Sequence, residues 1–203
     1  QFDPAALERK RSHLDAIHGE PERLARVLDT LLAGASYELE PLARPWEPGG
    51  GASLFRVATA AATYFLKVKH LAVTIESKLE CEPAFSSQPS LRNEERLLRR
   101  FAGAPFVPVV HGYMEDGDHA FLLLEWLAPF EAVAPTLGAA ALADAFRTVA
   151  AAARALYAAG VVHTDLHEKN LMFRGTAPVL VDFEEARELA QPVPFERSLD
   201  VVG

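Results

Sequence analysis

Between Val161 and Arg187 the chain reads VVHTDLHEKNLMFRGTAPVLVDFEEAR, and this stretch restricts the fold more than any other. Asp165 stands five residues before Asn170, and a hydrophobic run, a turn at Arg174-Gly175-Thr176 and a second hydrophobic run then lead to Asp182. The pattern predicts loop, strand, turn, strand and loop. A hairpin of that length brings the chain back beside its own start. One carboxylate, one amide and a second carboxylate therefore end up on two neighbouring loops.

The rest of the sequence predicts a β-rich first half and a helix-led second half. At 203 residues, half of them apolar, the chain suffices for one domain or for two small lobes. Residues 4–33 carry Leu14, Ile17, Leu24, Leu28 and Leu31 at helical spacing, and Gly19 and Pro21 split this run into two helices, the second stopped by Gly34. Ser53–Val57 and Thr63–Lys69 read as two strands behind the turn-rich Gly49-Gly50-Gly51. The stretch 70–90, with Pro83 and Pro89, reads as an irregular insert. Leu91–Phe101 reads as a short charged helix whose apolar face is Leu91, Leu97 and Leu98. Val107–Tyr113 and Ala120–Leu127 follow as strands joined by a turn at 115–118. Pro129–Pro135 reads as a linker, and Gly138–Ala159 as a long alanine-rich helix closed by Gly160. We therefore expect three parts: a helical extension at 1–35, a sheet-bearing lobe at 36–127 and a lobe with the two loops at 128–203.

The net charge of −8 leaves no footprint for a nucleic-acid or anionic-membrane binder. No apolar run reaches the length of a membrane span, since Arg147 and Arg154 interrupt the stretch from Leu137 to Val162. A single cysteine, Cys81, excludes an internal disulfide framework. With no basic-then-apolar start to the sequence, it leads us to expect a cytoplasmic protein.

Phosphoryl transfer from a magnesium nucleotide uses one carboxylate to orient the acceptor hydroxyl, and an amide oxygen with a second carboxylate to hold the metal against the phosphates. His163-x-Asp165-x-x-x-x-Asn170, followed by Val181-Asp182-Phe183-Glu184, resembles the catalytic and metal-binding loops of the protein-kinase-like superfamily, which includes the aminoglycoside and choline kinases and the small RIO-like kinases. The resemblance extends from about Leu39 to Gly203 and is strongest at this segment. It implies an α+β, two-lobed fold whose second lobe is minimal or truncated. It also implies an ATP- and Mg2+-dependent kinase with a hydroxyl-bearing acceptor.

In that reading Asp165 is the catalytic carboxylate and Asn170 and Asp182 are the metal ligands, with His163 supporting the loop backbone. Lys67, in FLKVK, matches the lysine that neutralises the α- and β-phosphates. Lys69 lies on the same face of the strand and remains its competitor. NEERLLRRF resembles the helix that supplies the lysine's partner, with Glu94 preferred to Glu95. Gly49, Gly50 and Gly51 could bring backbone amides to the phosphates, although a triple glycine serves a flexible turn equally well. FLLLEWL resembles the strand that runs into the hinge. Leu124 would then stand behind the adenine, the backbones of Glu125 and Leu127 would bond the base, and Trp126 would pack or line the rim. Arg197–Gly203 resembles the start of a buried helix whose Asp200 would anchor the catalytic loop.

Several positions depart from the protein-kinase pattern. Thr164 replaces the arginine that would pair with a phosphorylated loop, so control of that kind is not expected. DLH at Asp165–His167 and DFEEA at Asp182–Ala186 resemble small-molecule kinases more than protein kinases, and Glu184 adds a carboxylate beside the metal ligands. We therefore expect transfer to a small molecule or glycan, with an atypical Ser/Thr protein kinase and a nucleotide-binding pseudokinase as alternatives. A zinc pair at His163 and His167 is disfavoured. It needs a glutamate where Thr164 stands, and it leaves Asn170 and Asp182 unexplained.

Overall fold

The computed structural model describes residues 16–43, 52–71 and 91–189. Gly49, Gly50, Gly51, most of the 70–90 insert and Asp200 lie outside these residues. Two compact units result. One contains the described residues up to Glu95 together with Val109–Trp126, and the other contains Arg96–Pro108 and the residues from Leu127 onward.

The first unit is built on helix α1 (Pro21–Leu31) and strands β1 (Tyr37–Ala43), β2 (Ser53–Thr59), β3 (Thr63–His70), β4 (Val110–Asp116) and β5 (His119–Glu125). The strands form one antiparallel sheet in the order β1-β2-β3-β5-β4. Its register sets the faces, because Phe55 lies opposite Leu66 and Leu66 opposite Leu123. One face therefore presents Phe55, Val57, Leu66, Val68, Phe121 and Leu123, all buried, to Leu24, Val27 and Leu28 of α1 and to Ile17 of the 3-10 turn before it. Each such side chain contributes about 1.5–3 kcal/mol by leaving water. Alternation puts Lys67 on the opposite face, across from Leu54 and Leu122.

α1 begins at Pro21, whose missing N–H costs nothing in a first turn. A Cβ on Gly112 would meet Leu31 Cδ2 at 2.6 Å, so the glycine lets the helix end approach β4. The helix is also pinned by Arg23, which bonds Glu20 (3.0 Å), Asp116 (2.8 Å), Asp118 (3.1 Å) and the Asp116 carbonyl. Burial opposes charge on Asp118, but hydrogen bonds from His119 and Arg23 outweigh it and hold that carboxyl at about 2.

Helix α2 (Leu91–Arg100) buries Leu91, Glu94, Leu97 and Leu98. That stripe is spaced i, i+3, i+6 and i+7, so Glu94 sits in the apolar face rather than beside it.

The second unit holds β6 (Ala128–Pro129), the single turn α3 (Phe130–Val133), α4 (Ala139–Ala158), β7 (Val161–Val162), β8 (Leu171–Arg174), β9 (Ala177–Leu180) and β10 (Arg187–Glu188). Strands β6-β8-β9 make one small sheet, and β10 pairs with β7. α4 buries Ala145, Ala152 and Leu156. Gly160, at φ +76, takes the left-handed conformation that turns the chain from α4 into β7.

Three expectations need correction. Pro129–Pro135 is no open linker: Ala128 and Pro129 pair with Phe173 and Met172, and the Phe130 ring lies 6.1 Å from that of Phe173. The strand expected from Val107 starts at Val110, because the carbonyls before it are committed elsewhere. Arg174 binds those of Pro105 and Val107, and the Leu180 N–H binds that of Phe106. His70, read as the start of the insert, instead ends β3 opposite His119.

Candidate active site

Lys67 and Glu94 are brought together in the first unit. Lys67 Nζ donates to Glu94 Oε2 at 2.9 Å, with side-chain exposures of 10% and 1%. A lone charge of either sign would be costly at such a position. Lys69 points from the same face two residues on, and it is only half-buried. Glu95, on the neighbouring helix position, is half-buried as well. Leu124 is 4% exposed and shares the Lys67 face, since Lys67 lies opposite Leu122. The Glu125 N–H donates to the Val109 carbonyl at 3.0 Å, and its carboxylate accepts from the Val109 N–H at 2.8 Å. The guanidinium of Arg56 stands 5.8 Å from the centre of the Trp126 ring, whose side chain is 39% exposed. Leu127, expected beside Glu125 at the base, is half-buried and falls in the second unit.

In the second unit Asp165 and Asn170 meet across a short 3-10 turn, Glu168–Asn170. Asn170 Nδ2 donates to the Asp165 carbonyl at 2.9 Å and to Asp165 Oδ2 at 2.8 Å. This orientation spends the amide nitrogen on Asp165 and leaves Oδ1 as the group able to face a cation. His167 Nδ1 accepts from the Lys169 N–H at 3.2 Å, and its Nε2 lies 3.2 Å from Asn170 Nδ2. That Nε2 lies 3.4 Å from Asp165 Oδ2. Asp165 Oδ2 thus accepts from Asn170 with His167 close by, and the carboxylate is half-exposed.

Asp182 follows β9 with φ +64, and Thr164, just before Asp165, has φ +66. Both are non-glycine residues in the left-handed region, a strain that persists only where surrounding contacts impose it. Here the contacts are visible. Val181 N–H donates to the Asn170 carbonyl at 3.1 Å, and His163 Nε2 donates to the Val181 carbonyl at 2.9 Å. Thr164 Oγ1 donates to the Glu185 carbonyl at 2.9 Å. His163 is 2% exposed and its ring lies 4.6 Å from that of Phe183. Burial pushes its pKa down against the pull of the Val181 carbonyl, which keeps the ring neutral. Carboxylate oxygens of Asp182 and the buried Glu184 lie within 4.8 Å of each other. Two carboxylates and an amide oxygen make a donor set suited to a hard divalent cation.

The sequence marked His163 as a support of the loop backbone, and its bond to the Val181 carbonyl fits that reading, but the other braces went unread. The Thr164 hydroxyl and the Asp165–His167 contact were within reach, because both residues flank Asp165 in the motif. The pairing of β10 with β7 offered little signal, since two residues carry no periodicity.

The comparisons agree with this geometry. Residues 126–188 match the phosphotransferase enzyme family. A 100-residue stretch is 30% identical to casein kinase I homolog 1 of Schizosaccharomyces pombe, covering 49% of this chain and 21% of that relative. The chain therefore matches about a fifth of the relative's length. Family match and relative, beside a five-stranded antiparallel sheet followed in sequence by the paired-loop segment, make the chain similar to the protein-kinase-like superfamily.

Proposed function

We propose that the protein is an ATP- and Mg2+-dependent kinase that transfers the γ-phosphoryl group to an alcohol hydroxyl, preferably of a small molecule or glycan. The observation that carries this reading is the double hydrogen bond from Asn170 Nδ2 to Asp165. It aims one residue's oxygen outward for a cation while holding the other's carboxylate ready for a hydroxyl. In this reading Lys67, steadied by Glu94, neutralises charge on the α- and β-phosphates. The backbones of Glu125 and Leu127 bind the base in front of Leu124. Asn170 and Asp182 hold the metal, with Glu184 as an added oxygen donor. Magnesium, when bound, would offset charge on the β- and γ-phosphates.

Asp165 orients the acceptor hydroxyl and takes up its proton as the oxygen attacks phosphorus and the bond to ADP breaks. The preference for a small acceptor rests on Thr164. Its hydroxyl is committed to the Glu185 carbonyl, and no guanidinium stands at that position to read a phosphorylated loop. Similarity to a casein kinase I homolog supports a second reading, in which the acceptor is a protein serine or threonine.

Labelled ATP offered with a panel of sugars, small alcohols, glycans and unstructured proteins tests both readings. Labelled product that needs Mg2+ and a hydroxyl acceptor supports the kinase. Tight Mg-ATP binding with no product from any acceptor would favour a pseudokinase instead.

A further inference from the structure

The sheet face that carries Lys67 also carries an arginine that the proposed reaction does not use. Glu40, Arg56, Phe65 and Leu124 lie directly opposite one another across β1, β2, β3 and β5. Directly opposed residues project from one face of a sheet, so these four side chains form a row. Leu54, Lys67 and Leu122 form the next row on the same face. Rows on one face are about 7 Å apart, a span that the sugar of a nucleotide bridges between its base and its first phosphate. Arg56 is held at two points. Its Nη1 donates to Glu40 Oε2 at 3.3 Å, and its guanidinium stands 5.8 Å from the centre of the Trp126 ring. Trp126 follows directly on β5, and β3 lies between β5 and β2 in the sheet. The arginine and the indole therefore meet across β3, the strand that carries Phe65.

We propose that Arg56 is a base-contacting residue of the nucleotide site: held between Glu40 and Trp126, its guanidinium packs against the purine beside Phe65, while Lys67, one row away, meets the phosphates. A planar, delocalised guanidinium stacks on aromatic faces and is less strongly hydrated than an ammonium. Its two partners already restrict the side chain, so less conformational freedom is lost when a base arrives. The side chain of Arg56 is 40% exposed and Trp126 is 39% exposed, and Phe65 is half-buried. Aromatic and cationic surface is thus open to a ligand in the row that ends at Leu124. The inference rests on the reading of Leu124 as the wall behind the base, and it adds a cation to that pocket.

The test is calorimetry on the full chain with Mg-ATP and with Mg-tripolyphosphate, which keeps the phosphates and lacks the base. Arg56→Met retains the aliphatic stem and removes the cation. Its affinity for Mg-ATP should fall about 2- to 30-fold, the range that a cation–π contact supports, while its affinity for Mg-tripolyphosphate stays the same. Arg56→Lys should recover only part of the loss, because an ammonium is compact and strongly hydrated. The chain has two tryptophans, so in a Trp46→Phe background the emission reports Trp126. It should change on adding Mg-ATP and not on adding Mg-tripolyphosphate. Equal losses for the two ligands would make Arg56 a charge that attracts phosphates, and no loss for either would leave it a surface residue. Each of these results overturns the proposal. A selective loss of ATP affinity in a chain that transfers no phosphoryl group to any acceptor would keep the base contact and remove the kinase reading. Full transfer activity with unshifted ATP affinity would do the reverse.

Discussion

The two units hold their charged groups in opposite ways. In the first, Lys67 and Glu94 are buried and joined by an ion pair, within a sheet specified by long alternating strands. In the second, Asp165 and Asp182 are half-exposed, and Asp182 and Glu184 crowd like charges together. The loops that carry them are shaped by single bonds from His163, Thr164 and Asn170 rather than by repetition. Damage to the buried pair should appear as lost stability. Damage to the loops should appear as lost chemistry with the fold intact. Carboxylates gathered on a braced loop offer oxygen donors to a hard cation.

The largest effect should come from Asp165→Ala. Turnover should fall about 10²–10⁴-fold, the usual contribution of a proton-accepting group, while calorimetry shows ATP affinity nearly unchanged. Activity above about a tenth of wild type would break the assignment of the second unit as the chemical one.

Lys67→Met probes the other side of the contrast. Removing one partner breaks a buried ion pair, so stability should drop by about 3–5 kcal/mol, and adding Glu94→Gln should recover much of it. Lys69→Met, at a half-buried position, should cost less than about 0.5 kcal/mol. Urea denaturation of the three variants decides the matter, and a reversed order of the two lysines would move the phosphate-binding role to Lys69.

Asp182→Asn sharpens the cation argument. An amide offers a hard cation far less charge, so Mg-ATP affinity should weaken by about 10–100-fold, as it does when groups supporting a metal are lost. ATP affinity without magnesium should hardly change. If titrations with and without magnesium shift equally, the metal lies elsewhere.

The smallest effect concerns His163. Its folded pKa is lowered by burial, so below the unfolded value of about 6.5 the unfolded chain takes up a proton that the folded chain refuses. Stability contributed by the neutral ring is present above that pH and declines as pH falls, levelling off at the lowered folded value. The slope is at most about 1.4 kcal/mol per pH unit. Thermal melts from pH 7.5 to 5 should show this decline, and His163→Gln should flatten it.

Much of this architecture was legible in the residues. Alternation in 53–57 and 63–69 marked β2 and β3, and the helix ending at Gly160 follows from alanine content and the glycine. Glu94 could even be assigned to the buried stripe of α2, since it lies three residues from Leu91 and four from Leu98. The misreadings have a common origin. Pro129–Pro135 was read as a linker from its prolines and Val107 as the start of a strand, but their placement follows from contacts with Phe173 and Arg174, distant in sequence.

The sequence by itself determined which chemical groups the protein owns and the order in which they come: a lysine on a strand, a glutamate on the next helix, and Asp165, Asn170 and Asp182 around a hairpin. Local rules suffice for that, because spacing and alternation act over a few residues. Tertiary structure alone decided which groups share bonds. Asn170 could cap its own turn, yet it grips Asp165. Glu188 could be a solvated surface charge, yet it binds two arginines nearly ninety residues earlier in the chain. Such choices are settled by the competition among all available partners once the chain is compact, and no window of sequence contains that competition.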